Sequence, residues 1–511
     1  MGTTTLTLGS GRLGILDVVA VARGAPVALD PAAADRLHES RRMLDALDRG
    51  GQPIYGVTTG VGKLKDTVIA VDERRRLQRN LVLSHAAGVG PPLDRQETRS
   101  VLVLLAASLA RGYSGVRPVL VERLITCLNR GVHPVIPERG SVGASGDLAP
   151  LAHAAACLIG EGDAILDGSR LQSREALRRV GLEPLTLEMK EGLALLNGTH
   201  VMAGLGVLLV DEAARLARLA DISGAMSLEA LMGSHAAFDW RVHALRPHPG
   251  QIDAAANLRA LTQDSAIIAS HRDCTRVQDA YSLRCMPQVH GAAREAIRFA
   301  REIFEREINS VTDNPLLLRE DGLVLSAGNF HGQPLALALD TLAIGLTQLA
   351  GISERRIDRL VNPLTNEGLP PFLSPRGGVH SGYMIAQYVA AGLVSECKGS
   401  SYPASVDSIP TSGLQEDYNS MGAGAALKAR HVIAHVRQVL AVELLLAAQA
   451  LDLRAPLVPG VGSRAAHAAV RSAVPHLDED RLLHDDLAAA LALVQSGTIE
   501  AAVERAIGTL A

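Results

Sequence analysis

Four kinds of side chain in this sequence could do chemistry together if the fold gathered them. Arg284, in Gln278-Asp279-Ala280-Tyr281-Ser282-Leu283-Arg284-Cys285, is a natural fork for a carboxylate, because a guanidinium donates two parallel hydrogen bonds to it. Glu416, in Gln415-Glu416-Asp417, could bind an imidazole N–H or act as a base. Tyr55 opens Tyr55-Gly56-Val57-Thr58-Thr59-Gly60-Val61-Gly62, where three glycines in eight residues supply hinges. A free tyrosine titrates at about 10, so a basic role needs surroundings that favour phenolate. The fourth is Ser145, in Gly143-Ala144-Ser145-Gly146-Asp147-Leu148-Ala149-Pro150. Read locally, that segment is a small-residue turn feeding a helix, with Ser145 or Asp147 as N-cap and Pro150 in the first turn.

The elements that must position these groups read as helices. Over Ala293–Ile308 the apolar residues Ala293, Ile297, Ala300, Phe304 and Ile308 alternate with a charged face, the pattern of an amphipathic helix. Val432–Leu451 is apolar almost all round and belongs in a bundle or a subunit interface. Clear β alternation is scarce. Gly-, Pro- and Asn-rich stretches at 50–66, 137–150, 310–334, 362–380 and 400–422 read as functional loops. The expected division is 1–200, carrying the glycine-rich loop and the Ser145 turn, and 201–511, a long-helix bundle.

Composition narrows the partners. With 50 basic and 54 acidic residues and a net charge of −4 in 511 residues, nothing marks a nucleic-acid or anionic-membrane surface. Five scattered cysteines without a CxxC pair point to a reduced, cytoplasmic protein. Met1–Arg12 lacks the pattern of a signal peptide. The nineteen uncharged residues between Glu191 and Asp211 could span a bilayer by length, but Asn197-Gly198-Thr199-His200 interrupts them, so a buried core segment is expected. His431 and His435 have a ligand-compatible spacing but lack the glutamate of a HExxH motif, and no metal is expected. A phosphate loop around Lys63 fails on its glycine spacing and on Leu64.

Ala144-Ser145-Gly146 before Asp-Leu-Ala-Pro resembles the signature of the aromatic amino acid ammonia-lyases and aminomutases, and matching blocks run from about residue 50 to about 455. In that family the tripeptide cyclises into a methylidene-imidazolone (MIO) electrophile. Serine supplies a hydroxyl that leaves as water, and glycine lets its nitrogen fold back onto the alanine carbonyl. The resemblance implies a mainly α, elongated bundle of fumarase/aspartase-like architecture with a mixed N-terminal part. It also implies a homotetramer with sites shared between subunits, and no nucleotide cofactor. By the same resemblance Tyr55 is an acid/base group in a mobile lid, and Tyr281 positions substrate or moves protons. Gln278 orients the ligand, Arg284 clamps its carboxylate, and Asn197 sits beside the MIO and the substrate amine. Phe330, in Gly328-Asn329-Phe330-His331-Gly332, walls an aromatic ring.

Ser84-His85 and Glu416 are typical of the histidine-specific members, in which His85 would hydrogen-bond a substrate imidazole. The activity implied is elimination of the α-amino group of L-histidine, giving trans-urocanate and ammonia. Departures keep a lyase for another aromatic amino acid, or an aromatic 2,3-aminomutase, in view. They are Thr58, His200, His290 and Tyr418-Asn419, and both Thr58 and Asn329–Gln333 occur in tyrosine aminomutases. A fumarase-type lyase without MIO lacks its Ser-Ser-x-Met-Pro-x-Lys loop here. A catalytically dead scaffold would have to preserve the whole constellation for no purpose.

Overall fold

A computed structural model describes residues 4–49, 53–274 and 276–511. The first residues of the loop expected at 50–66, and Met1–Thr3 of the N-terminal segment, lie outside them. Among the described residues there are twenty α-helices and only nine short strands, as the periodicity predicts. Two compact units divide the chain, and the division falls inside four long helices.

The first unit comprises Met1–Asp211, Ala300–Asp340 and Pro403–Leu427. It holds all the described strands, in four small sheets. Leu6–Leu8 pairs in parallel with Val27–Leu29, and Leu316–Leu318 forms a hairpin with Leu323–Leu325. Val89–Pro92 pairs with Pro137–Arg139, and His133–Pro134, Asp163–Leu166 and Ser169–Gln172 form a three-stranded sheet. Helix Arg95–Ala110 is the core of this unit, buried nearly all round; Asp94 caps it, accepting from the Glu97 N–H.

The second unit comprises Glu212–Phe299, Thr341–Tyr402 and Lys428–Ala511, and is helical throughout. Its core carries a buried, hydrogen-bonded ion pair. Glu443, on the apolar helix Gly422–Asp452, receives Arg356 Nε at 2.5 Å and Nη2 at 2.9 Å, with the hydroxyls of Ser223, Ser227 and Ser353 completing its acceptor sites. His290, unexpected in the sequence, lies fully buried with Nδ1 2.7 Å from Asp221.

The amphipathic reading of Ala293–Ile308 corresponds to helix Met286–Glu307, with Ala293, Ala300 and Phe304 fully buried. Gln333–Val361 and Gly422–Asp452 are long and apolar enough to cross a membrane, but 67% and 72% of their most apolar windows are buried inside the protein. The apolar run after Glu191 breaks, as its polar centre suggests, into helices Glu191–Leu196 and His200–Ala230, and its residues are buried save one that is half-buried.

Candidate active site

The turn at Ser145 is built differently from the local reading. Helix Ala149–Leu158 has Leu148 as its N-cap, at φ 43°, with no side-chain cap. Neither Ser145 nor Asp147 caps it, because both are engaged by a segment some fifty residues on. Ser145 Oγ donates to Asn197 Oδ1 at 2.7 Å. Asp147 Oδ2 accepts from the Val201 and Met202 N–H groups at 2.7 and 3.2 Å, and so caps the long helix His200–Ala230 instead. Burial pushes the Asp147 carboxyl up to about 7, against the pull of those two N–H groups.

The backbone of the turn is stacked on the chain at Gly198. Asp147 N donates to the Gly198 carbonyl at 2.8 Å, and Gly146 and Gly198 form an isolated parallel bridge. Gly146 has φ 75°, and a Cβ there would overlap the Gly198 carbonyl. Only glycine fits that approach. On the other side Met421 N donates to the Val142 carbonyl, and a Cβ at Gly143 would strike Ser420 Oγ.

Ser145 opens onto a cavity of about 590 Å³ lined also by Tyr55, Phe330, Asn314, Lys65, Gln415 and Glu416. Tyr55 Oη accepts from Gly62 N at 2.9 Å. Burial raises its pKa above 10, the Gly62 bond opposes this, and the nearby Glu416 adds to the rise. These surroundings favour the phenol over the phenolate that a basic role requires. Glu416 Oε2 accepts from Thr411 Oγ1 at 2.7 Å. Two bonds tie the glycine-rich loop to the Glu416 loop: Lys65 Nζ to Gln415 Oε1 at 3.1 Å and Lys63 N to Ser412 Oγ at 3.3 Å. Thr58 is turned inward, its hydroxyl taking the Ile54 N–H at 2.7 Å. Tyr418 stacks on His331, and Asn419 is buried with Nδ2 on the Ile409 carbonyl.

The remaining expected residues fall elsewhere. Asn197 is buried behind Ser145 rather than exposed in the cavity. His85 does not line it; its Nδ1 lies 2.8 Å from the Leu81 carbonyl and 3.1 Å from Ser84 Oγ, at the end of helix Arg74–His85. Gln278, Tyr281 and Arg284 belong to the second unit and form a group of their own. Arg284 Nη2 donates to Gln278 Oε1 at 2.8 Å, and the guanidinium lies 4.7 Å from the centre of the Tyr281 ring. The helix there spans only Tyr281–Arg284, so Gln278 reaches Arg284 from a loop, not along a shared helix face. Among the described residues no carboxylate pairs with Arg284, and Tyr281 is 70% exposed.

Sequence reasoning missed Lys65, Gln415, Asn314 and the buried Lys190 and Asp313. The run Thr312-Asp313-Asn314-Pro315 inside an expected loop was the signal available. His200 is buried and held neutral, burial lowering its pKa to about 4. His435 pairs with Glu396 at 3.1 Å, and among the described residues no three His, Cys, Asp or Glu side chains are arranged to hold a metal.

A sequence profile described as "Aromatic amino acid lyase" matches residues 13–472. The chain belongs to that family. A histidine ammonia-lyase of Gloeobacter violaceus is 54% identical over 509 residues, covering 99% of both chains. Among solved structures, a tyrosine aminomutase from Streptomyces globisporus superposes with a TM-score of 0.95 at 39% identity, covering 99% of this chain and 100% of its own. A histidine ammonia-lyase from Trypanosoma cruzi gives 0.91 at 40% identity, covering 99% and 96%. The mainly helical, lyase-type fold expected from the sequence is thereby established. Membership of the family implies the MIO group. The local structure fits it: Ala144 and Gly146 are buried, Gly146 sits where a side chain has no room, and Ser145 faces the cavity.

Proposed function

We propose that this chain is an ammonia-lyase that converts L-histidine to trans-urocanate and ammonia, using an MIO group formed from Ala144, Ser145 and Gly146. The observation that carries the reading is Glu416 sharing one cavity with Ser145 and Tyr55. A glutamate there can accept an imidazole N–H, which a phenyl ring does not offer. When formed, the MIO group supplies an electrophile that turns the substrate nitrogen into a better leaving group.

The chain's own residues do the rest. Phe330 forms an apolar wall for the ring, and Asn197 Oδ1, which holds the serine hydroxyl, becomes an acceptor for the substrate amine. Tyr55, as a phenol, donates, while the carboxylate of Glu416 accepts and carries the β-proton away. Gln278, Tyr281 and Arg284 bind the α-carboxylate from a second copy of the chain. That accounts for a guanidinium without a carboxylate partner and a tyrosine left open to solvent. The assembly is a homotetramer acting in the cytoplasm on a free amino acid, with no nucleic acid or membrane partner. His85, outside the cavity, would serve as a selector only after the helix end carrying it shifts.

A second reading, an aromatic 2,3-aminomutase or a lyase for another aromatic amino acid, is favoured by the likeness to the tyrosine aminomutase and by Thr58 and Tyr418. Incubation with L-histidine, followed by ultraviolet absorbance, separates them. Growth of the urocanate band supports the first reading. A flat trace, with tyrosine or phenylalanine consumed or a β-amino acid produced, replaces it with the second.

A further inference from the structure

Behind the Ser145 turn lies a buried charged pair that the cavity chemistry does not use. Lys190 Nζ is 2.6 Å from Asp313 Oδ2, and both side chains are shut off from water. Burial draws Lys190 below the usual lysine range even with Asp313 beside it. Removing two charges from water costs several kcal/mol per ion, so stability alone is a weak reason to keep such a pair.

Position is a better reason. Asp313 Oδ1 accepts from Asn314 N at 2.7 Å and lies 3.4 Å from Asn197 Nδ2. The Asn314 carbonyl accepts from the same Nδ2 at 2.8 Å. Two acceptors, one pinned by the other, thus face one end of the Asn197 amide, leaving Oδ1 for the Ser145 hydroxyl. A flipped amide would set oxygen against oxygen on one side and lose its donor bonds.

We infer that Asp313, anchored by Lys190, is a positioning residue that fixes the Asn197 amide, and through it the Ser145 hydroxyl, for cyclisation of Ala144-Ser145-Gly146. The inference rests on the proposed MIO reading. In that cyclisation Gly146 N bonds to the Ala144 carbonyl carbon. The carbonyl oxygen leaves as water with the Gly146 and Ser145 amide hydrogens. The Ser145 hydroxyl then leaves as a second water with the Ser145 Cα hydrogen, so no oxidant is needed.

The test is mass spectrometry of the peptide containing residues 144–146, with near-ultraviolet absorbance and kcat on the same samples. Wild type is compared with Asp313→Asn and with the double variant Lys190→Met/Asp313→Asn, which leaves no lone buried charge. We expect wild type to have lost two waters, both variants to retain them in most chains, and kcat per cyclised chain to fall by about 10-fold or more. A purely stabilising pair would shift the unfolding temperature and leave the mass loss complete. If wild type and the folded variants are all fully cyclised, with kcat within about twofold, the inference is overturned while the MIO reading stands. If wild type itself keeps both waters, the MIO reading fails and takes the inference with it.

Discussion

Around Ser145 the chain supplies its own partners: Asn197 for the hydroxyl, Gly198 for the backbone, Val201 and Met202 for Asp147. Around Arg284 it supplies few. Gln278 and Tyr281 hold the guanidinium in place, yet among the described residues no carboxylate pairs with it, and the tyrosine stands in solvent. The first region can be completed within one chain; the second is prepared for something that arrives. An electrophile must be pre-built in a rigid setting, because cyclisation needs a close backbone approach, whereas a carboxylate clamp must stay open until its ligand comes.

The hardest way to break this contrast is at Ser145. Ser145→Ala should reduce turnover by about a thousandfold or more while leaving the far-ultraviolet spectrum and unfolding temperature near wild type. Full activity in that variant would remove the electrophile from the account. Arg284→Gln should act on the other region alone: an intact mass signature at residues 144–146, with kcat/KM lowered about 10- to 100-fold through KM. Co-expressing the two impaired variants, assayed at a substrate concentration far below the raised KM, sharpens the point. If the regions meet between copies, mixed assemblies contain some whole sites and recover part of the activity; no recovery in verified mixed assemblies would place each site within one chain. Glu416→Gln should cost about 10-fold in kcat/KM for histidine, and less for phenylalanine or tyrosine, measured side by side.

The last effect is read in stability rather than turnover, and concerns Asp147. Its carboxyl titrates at about 7 in the folded chain and near the ordinary 3.8 when unfolded. Between those values the folded state holds the extra proton, so this group's contribution to stability falls as pH rises from about 4 to about 7. Thermal unfolding of Asp147→Asn across that range should show a flatter decline than wild type. Parallel curves would mean that the two helix N–H groups keep the carboxylate ionised.

Residues that act through their neighbours in sequence were legible; those acting through distant neighbours were not. The amphipathic stripe of Ala293–Ile308 and the apolar length of Val432–Leu451 record helices directly, and the tripeptide with its flanking blocks resembles one family along most of the chain. The N-cap at Ser145 or Asp147 was a sound local expectation, overridden because the helix start at residue 200 takes the Asp147 carboxylate and the Asn197 side chain takes the Ser145 hydroxyl. Lys190 and Asp313 lie 123 positions apart, and no spacing rule joins them. The proposed selector His85 depends on a backbone carbonyl at the end of its own helix, which only coordinates reveal.

The two bonds tying the glycine-rich loop to the Glu416 loop are exposed, and hydrogen bonds of this kind contribute about 1 kcal/mol each. On the proposed chemistry they set a race. After the C–N bond breaks, ammonia either escapes or returns to the neighbouring carbon of the acrylate. On that chemistry, a junction between the two loops held by these exposed bonds would let the smaller product go first and tip the balance toward the unsaturated acid. Strengthening that junction would alter which product accumulates more than how fast substrate disappears.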